Sequence, residues 1–528
     1  LLGFGWPCRV WVSAGCRSGF NMTAPTPVRI ISKPGIKRDG TLLEGDEYKD
    51  GQWCRFSRRA LPRKIAGYKS ITSQLPEKVY GMDAYFFGGI NYLHLGSESF
   101  LEQIQSDQFG NPGAQNDRTP AGFAVNANNL WQFDTFYNTA SGQTVLVANG
   151  SPNLAEITSL TETPIYYGDV NAATPLVASG MDPVSGGVVA VSPYLIGYGN
   201  FGRIDVSAIN NVTTAPNSAF VSDQKIVKGL PLRNGSGGPA MILWSMSELI
   251  VATYNAALLA GIPFNFNTIS SDTSVLSSSA IVEFDGIYYW PEVDHFSMFN
   301  GIVRELPNTQ NLDFFFKNLN FQYRQKVFAI KVQAACEIWW CFPFGSSTEC
   351  NHAVIYNTQL GVWYDTPLPD LGRTSGTSPR TFNKPYMTDL DETETGFTLW
   401  QHETGLDKNQ NGQITPIRSY FKTTEMSPLV APQPKDKALG VSLVEPDFGQ
   451  TGDLTLTVYQ RANATLSQSA SVPKVVPAVV TTPDTQLVYL KENARLLAFQ
   501  IESNTPGGDY YLGHTLAHIE ETDGRYSS

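Results

Sequence analysis

Lys326-Val327-Phe328-Ala329-Ile330-Lys331, Glu337-Ile338-Trp339-Trp340-Cys341-Phe342, Ala353-Val354-Ile355-Tyr356 and Gly361-Val362-Trp363-Tyr364 follow one another along the chain. Each is a short β-branched or aromatic run, and polar or glycine-bearing segments separate them. Runs of this length and spacing read as consecutive strands of one antiparallel sheet. Ile338-Trp339-Trp340 places bulky side chains on both faces of its strand, because successive side chains alternate across a sheet. Both faces must then be covered by neighbouring sheets. A ring of four-stranded blades meets that demand, so we read the aromatic strands as packing surfaces rather than as an aromatic ligand cage.

The same pattern extends outward on both sides. Strand runs begin near residues 84, 131, 188, 241, 281, 326 and 385, a recurrence of roughly 40 to 60 residues that matches one propeller blade. The expected fold is all-β, with a β-propeller-like core, an N-terminal arm and a smaller C-terminal β domain. The boundaries read as an upstream extension at 1–21, a basic N-terminal arm or platform segment at 22–80, the propeller-like domain at 81–425 and the C-terminal β domain at 426–528. A Pro-containing linker at 428–434 opens the last of these. The N- and C-terminal strands can complete a blade together, which leaves the blade number open by one or two. Residues 1–21 begin with Leu and resemble neither a secretory signal nor the rest of the chain, so Met22 is the expected natural start.

Composition narrows the function. The 528 residues are 42% hydrophobic and 12% aromatic, enough to build a core and to exclude a disordered chain. Charged residues are only 16%, and every apolar run is interrupted well before the roughly 18 to 20 residues that would span a bilayer. No membrane insertion is expected. With 37 Lys and Arg against 48 Asp and Glu, the net charge is −11, which argues against a protein that grips duplex DNA through its phosphates. Residues 33–69 reverse the trend at +5, leaving −16 for the remainder. Within them Arg58, Arg59, Arg63 and Lys64 are the candidate partner contacts, facing an acidic neighbour. Cys54, Cys336, Cys341 and Cys350 match no zinc pattern and are expected to be reduced, mostly buried thiols.

Three motifs carry possible chemistry. Gly197-Tyr198-Gly199-Asn200-Phe201-Gly202 spells a dinucleotide fingerprint, but an alternating strand follows where a helix should open, so it reads as a hairpin turn and no cofactor is expected. Asp407-Lys408-Asn409-Gln410-Asn411-Gly412 matches the start of a calcium loop, making Asp407, Asn409 and Asn411 the metal candidates. Arg418 stands where the bidentate Glu belongs, and a polar hairpin turn is the competing reading. Asp294-His295 and His402-Glu403 are adjacent acid–histidine pairs without a nucleophile elbow or a metalloprotease motif. No catalytic residues are assigned and no enzyme is expected.

Gly35-Ile36-Lys37-Arg38-Asp39-Gly40-Thr41, Leu61-Pro62-Arg63-Lys64-Ile65-Ala66-Gly67-Tyr68, Leu399-Trp400-Gln401-His402-Glu403-Thr404-Gly405, Glu445-Pro446-Asp447-Phe448 and Gly507-Gly508-Asp509-Tyr510-Tyr511-Leu512-Gly513, with Asp523-Gly524-Arg525 near the end, add a resemblance. Together with the segments at 337–343, 353–357 and 363–365 they resemble the tail hub or nozzle (tail stabilisation) proteins of short-tailed bacteriophages, from about residue 30 to the C-terminus. The resemblance implies a structural virion protein in the tail, assembled in the cytoplasm of a bacterial host. It implies a homohexameric ring below the portal and the adaptor (head-completion) ring that closes the packaged head and extends the channel for double-stranded DNA without sequence recognition. Tail fibres or spikes would attach to it. The alternative is a receptor-binding or glycan-cleaving tail propeller.

Overall fold

The computed structural model describes residues 25–123, 130–151, 157–233, 238–258, 261–379, 384–390, 396–426 and 438–522. The extension at 1–21 with the start at Met22, the linker at 428–434 and the ending at 523–525 lie outside the described residues.

Phe328–Val332, Glu337–Phe342, His352–Asn357 and Val362–Pro367 form one four-stranded antiparallel sheet in chain order. Glu337–Phe342 is buried along its whole length, and its alternating side chains serve two cores. Ile338, Trp340 and Phe342 pack with Phe284, Phe296 and Phe315, while Trp339 and Cys341 pack with Tyr68 and Trp400. The Trp340 indole donates to the Ala280 carbonyl at 2.9 Å, so this large ring is buried with its polar atom satisfied.

Among the described residues six such sheets follow in sequence, and a seventh, six-stranded sheet completes the series. Blade 1 spans 82–117, blade 2 spans 130–178, blade 3 spans 187–220, blade 4 spans 226–270, blade 5 spans 282–305, blade 6 is the sheet above, and blade 7 begins at Arg373–Thr377. The first strands of blades 1 to 4 touch in succession, as do those of blades 5, 6, 7 and 1. They surround a central axis, and later strands step outward from it. The core is a β-propeller of seven blades.

Blade 7 closes the ring with a strand from the other end of the chain. Arg373–Thr377, Tyr386–Asp389 and Phe397–His402 are followed outward by Tyr68–Leu75, antiparallel to its neighbour, with Tyr68 opposite His402 and Leu75 opposite Phe397. The axis also explains where two blades start. A Cβ on Gly376 would lie 2.7 Å from Ile330 Cγ2, and one on Gly229 would lie 2.9 Å from Val189 Cγ1. Crowded first strands need such small residues. Ile226–Pro231 and Arg373–Thr377 therefore lack the bulky alternation of a half-buried strand, and the runs beginning near 241 and 385 are the second strands of their blades.

The remaining strands form a terminal lobe from both chain ends. Thr26–Arg29 pairs with Leu516–Thr522, Asp50–Gln52 with Ser419–Lys422, and Pro62–Lys64 with both Cys54–Phe56 and Tyr510–Leu512. Strand pairing thus crosses the divisions read at 80 and 425. One continuous core, including Trp53, Trp339, Trp400, Phe421 and Phe499, joins the lobe to blades 6 and 7. Trp53 meets Trp339 edge-on with ring centroids 5.9 Å apart. Cys54, Cys341 and Cys350 are buried, Cys336 is partly buried, and all four are free thiols. No helix among the described residues is long and apolar enough to cross a membrane.

Trp340→Ala removes a buried indole from between two blades and is expected to cost about 3–5 kcal/mol. Chemical denaturation should show that loss, whereas Ile302→Ala, at a side chain 59% exposed, should change stability by no more than about 0.5 kcal/mol.

Candidate partner-binding cleft

The basic run folds as a hairpin of Cys54–Phe56 against Pro62–Lys64, with Cys54 opposite Lys64 and Arg55 opposite Arg63. Two-residue periodicity divides its cations, because Cys54 and Lys64 face the buried side and Arg55 and Arg63 the other. The hairpin is turned by 57–60, where Ala60 takes φ 61° and its N–H donates to the Ser57 carbonyl at 2.7 Å. A left-handed alanine costs roughly 1 kcal/mol.

The four candidate contacts do not behave alike. Lys64 is 2% exposed, donates to the Gly508 carbonyl at 2.7 Å and lies 3.8 Å from Asp407 Oδ1. Burial pushes its pKa down against the opposing pull of Asp407 and Asp509. It is a packing cation inside the chain and is set apart from the other three. Arg63 is about half-exposed and reaches Asp509 only at 3.9 Å. Arg58 and Arg59 are exposed, and neither guanidinium has a partner among the described residues.

Arg55, which sequence reasoning did not single out, holds the base of the hairpin. Its guanidinium donates to Glu337 Oε2 at 3.0 Å and to both Glu403 oxygens at 2.6 and 2.8 Å. Tyr364 and Trp339 donate to Glu337 at 2.6 and 2.8 Å. Burial would lower the Arg55 pKa, but Glu337 and Glu403 raise it above its ordinary value. Burial pushes the Glu337 carboxyl up, and Arg55 opposes that rise. Arg38 forms a second clamp, donating to both oxygens of Asp365 at 2.8 and 3.1 Å and to Asp50 at 2.7 Å. Much of the basic segment's charge therefore meets its acidic neighbour within the same chain.

Between the hairpin and the ends of blades 6 and 7 lies a cleft of about 330 Å³. Arg58 and Arg63 form its basic rim, and Phe56, Ala334, Ala335, Leu360 and Leu406 give it an apolar floor. Glu403 and Asp509 are the acids on its wall.

The metal candidates sit close by and fold differently from a calcium loop. Lys408–Gln410 and Gln413–Thr415 form a hairpin whose turn is Asn411-Gly412, with φ 51° and 88°, as expected for a primed turn. Asp407 Oδ2 accepts from the Gly507 N–H at 2.6 Å, and Lys64 already faces its other oxygen. Asn409 accepts from Gly412 at 3.0 Å, and Asn411 from Ser70 at 3.2 Å. Asp407 Oδ2, Asn409 Oδ1 and Asn411 Oδ1 are thus engaged with three different groups, and the stretch is the competing hairpin turn. The Gly197–Gly202 motif is likewise a strand, a tight turn and a strand.

A second cavity, of about 320 Å³, lies on the propeller axis and is lined by residues of six blades, including Asp83, Gln132, Lys228, Glu283, Lys331 and Thr377. Lys228 donates to Gln132 Oε1 at 3.2 Å. Asp83 is pushed up to about 7 by burial, reinforced by Asp134. Of the histidine pairs, His295 contacts Asp294 at 2.6 Å on the surface. His402 is buried and accepts from Arg373 Nε at 3.3 Å. Burial, reinforced by Arg373, drives its pKa well below the ordinary value, so it is a neutral packing group.

Fold and site together define a β-propeller protein with a terminal lobe and an arginine-rimmed cleft at their junction. No family model matches the chain, and no curated protein matches it. Among solved structures it is similar to the WD40 β-propeller domain of Doa1 at 10% identity, over 63% of this chain and 97% of that one, with a TM-score of 0.40. It is also similar to BamB from Moraxella catarrhalis at 13% identity, over 68% and 95%, with a TM-score of 0.34.

Three of these charged groups bear on stability. Arg55→Ala leaves Glu337 buried and uncompensated and should destabilise by about 3–5 kcal/mol, read as a lower denaturation midpoint. Asp365 would be raised by burial, but Arg38 and His352 hold it below its ordinary value. A depressed carboxylate contributes stability above its unfolded pKa of roughly 4 and loses that contribution as pH falls through the folded value. Asp83 has the opposite sign, so its ionisation should erode stability as pH rises from about 4 toward 7. Thermal unfolding of Asp83→Asn across this range should show a flatter loss than the parent chain.

Proposed function

We propose that this chain is the tail hub or nozzle subunit of a short-tailed bacteriophage. In this reading it is a structural virion protein that acts in the tail and has no catalytic role. Six copies form a ring below the portal and adaptor rings, close the packaged head, extend the DNA channel and anchor fibres or spikes. The observation that carries the reading is the pairing of a closed propeller with a lobe made from both chain ends, within the span to which the family resemblance applies. A scaffold with both ends locked into sheets can hold a fixed shape under load while its loops meet several partners.

The axial cavity refines this reading. About 320 Å³ is the volume of a small-molecule pocket, so duplex DNA would run through the lumen between copies and not through the propeller. The acidic remainder of the chain would supply a wall that repels phosphates. Arg58, Arg59 and Arg63 would dock on the ring above. Gold labelling of this chain on intact virions should place it at the end of the short tail axis, in six-fold rings. Label on peripheral appendages, or on no part of the virion, would overturn the reading.

The glycan-binding or glycan-cleaving alternative draws on one observation, the raised carboxyl of Asp83 on the axis beside the half-buried ring of Phe133. Release of reducing sugar from host surface polysaccharide, abolished in Asp83→Asn, would favour it.

A further inference from the structure

The cleft at the base of the Cys54–Lys64 hairpin combines two features that call for one kind of occupant. Its rim carries cations that the chain leaves unused. Arg58 on the rim and Arg59 next to it on the exposed turn have no partner among the described residues, and Arg63 is about half-exposed, with its acid at 3.9 Å. The floor is different. Phe56, Leu360 and Ala335 are joined there by Ala334, which is exposed at the turn of blade 6. A bare anion or a nucleic-acid phosphate would use the rim and gain nothing from this floor. An extended peptide matches both, with carboxylates on the arginines and an apolar side chain on the floor.

The recess is also built to keep its shape. Arg55 is fixed by Glu337 of blade 6 and by Glu403, and Lys64 is tied to Gly508. The arginine-bearing turn stands on a base whose own charges are already satisfied, so its guanidiniums need not be drawn inward to neutralise buried acids. The left-handed Ala60 is a local cost of that turn, of the kind tolerated where a loop must present a particular face.

We infer that this cleft is a docking site for an acidic peptide segment of a partner protein, with carboxylates on Arg58, Arg59 and Arg63 and one apolar anchor against Ala334 and Leu360. The inference names the chemistry of the docking partner in the reading above and rests on that reading only for the partner's place in an assembly. Binding is measured on the isolated full chain, so the two can fail separately.

The probe is a fluorescein-labelled peptide of alternating Glu and Leu, followed by polarisation. Controls are the same peptide with Lys for Glu, a Glu and Ser peptide without apolar residues, and a single-stranded oligonucleotide as competitor. Arg58→Glu with Arg59→Glu and, separately, Ala334→Glu alter exposed positions and should leave the thermal midpoint unchanged. Each should weaken binding of the Glu and Leu peptide by about tenfold or more, equivalent to about 1.4 kcal/mol. The Glu and Ser peptide should bind about tenfold more weakly than the Glu and Leu peptide, and the oligonucleotide should not compete. No binding of the Glu and Leu peptide, equal binding of both acidic peptides, full competition by the oligonucleotide or an unchanged affinity in Ala334→Glu would each overturn the inference. Peptide binding by a chain absent from the tail axis would leave the cleft assigned and remove the nozzle reading.

Discussion

The fold depends on one ladder of hydrogen bonds, between Tyr68–Leu75 and Phe397–His402. Without it blade 7 would end on the unpaired edge of Phe397–His402, and unpaired strand edges cost both stability and solubility. Here the missing strand comes from the beginning of the chain, so the first and last parts must meet beside blade 7. Once they meet, the remaining N-terminal strands have C-terminal strands as their nearest partners. The terminal lobe, its interleaved sheets and the core it shares with blades 6 and 7 follow from that closure.

Charge reinforces this junction. Arg38 and Arg55 reach from the N-terminal segment to Asp365, Glu337 and Glu403, acids that lie 282 to 348 positions away in sequence. Buried ion pairs of this kind are weak as net stabilisers but strongly selective, since a misplaced partner would leave a charge buried alone. Their role is to fix how the lobe sits on the propeller. The unpaired arginines begin only where that fixed part ends, at the turn of the hairpin.

The blades were legible wherever strands bury two faces. Glu337–Phe342 and Ile287–Pro291 announce themselves because both faces must be bulky. The first strands of blades 4 and 7 were not legible, because Gly229 and Gly376 answer to crowding at the axis and Lys228 faces the cavity. The hairpin at Asn411-Gly412 was readable from turn chemistry alone. The cleft was half readable. A run of arginines is visible in any sequence, but which of them is already neutralised depends on acids hundreds of residues away, and no local pattern reports that. Lys64 looked like its neighbours and proved to be buried, because hairpin register sends it to the opposite face from Arg63.

The register of the closing ladder also has a mechanical meaning. Tyr68 and His402 stand opposite each other, so both chain connections between propeller and lobe leave from the same end of the ladder. A pulling force transmitted through the lobe would act on that end alone, peeling the pair apart bond by bond like a zip instead of shearing all of its bonds at once. Peeling is the weaker geometry, and the molecule carries its fasteners at the vulnerable end. Asn409 hooks alongside Lys69 in the parallel pairing of the next strand, Arg373 and Lys408 clamp Asp370, and Arg55 grips Glu403, one residue beyond His402. A tensile load on the propeller would meet that extra pairing and those ion pairs at the end where peeling begins.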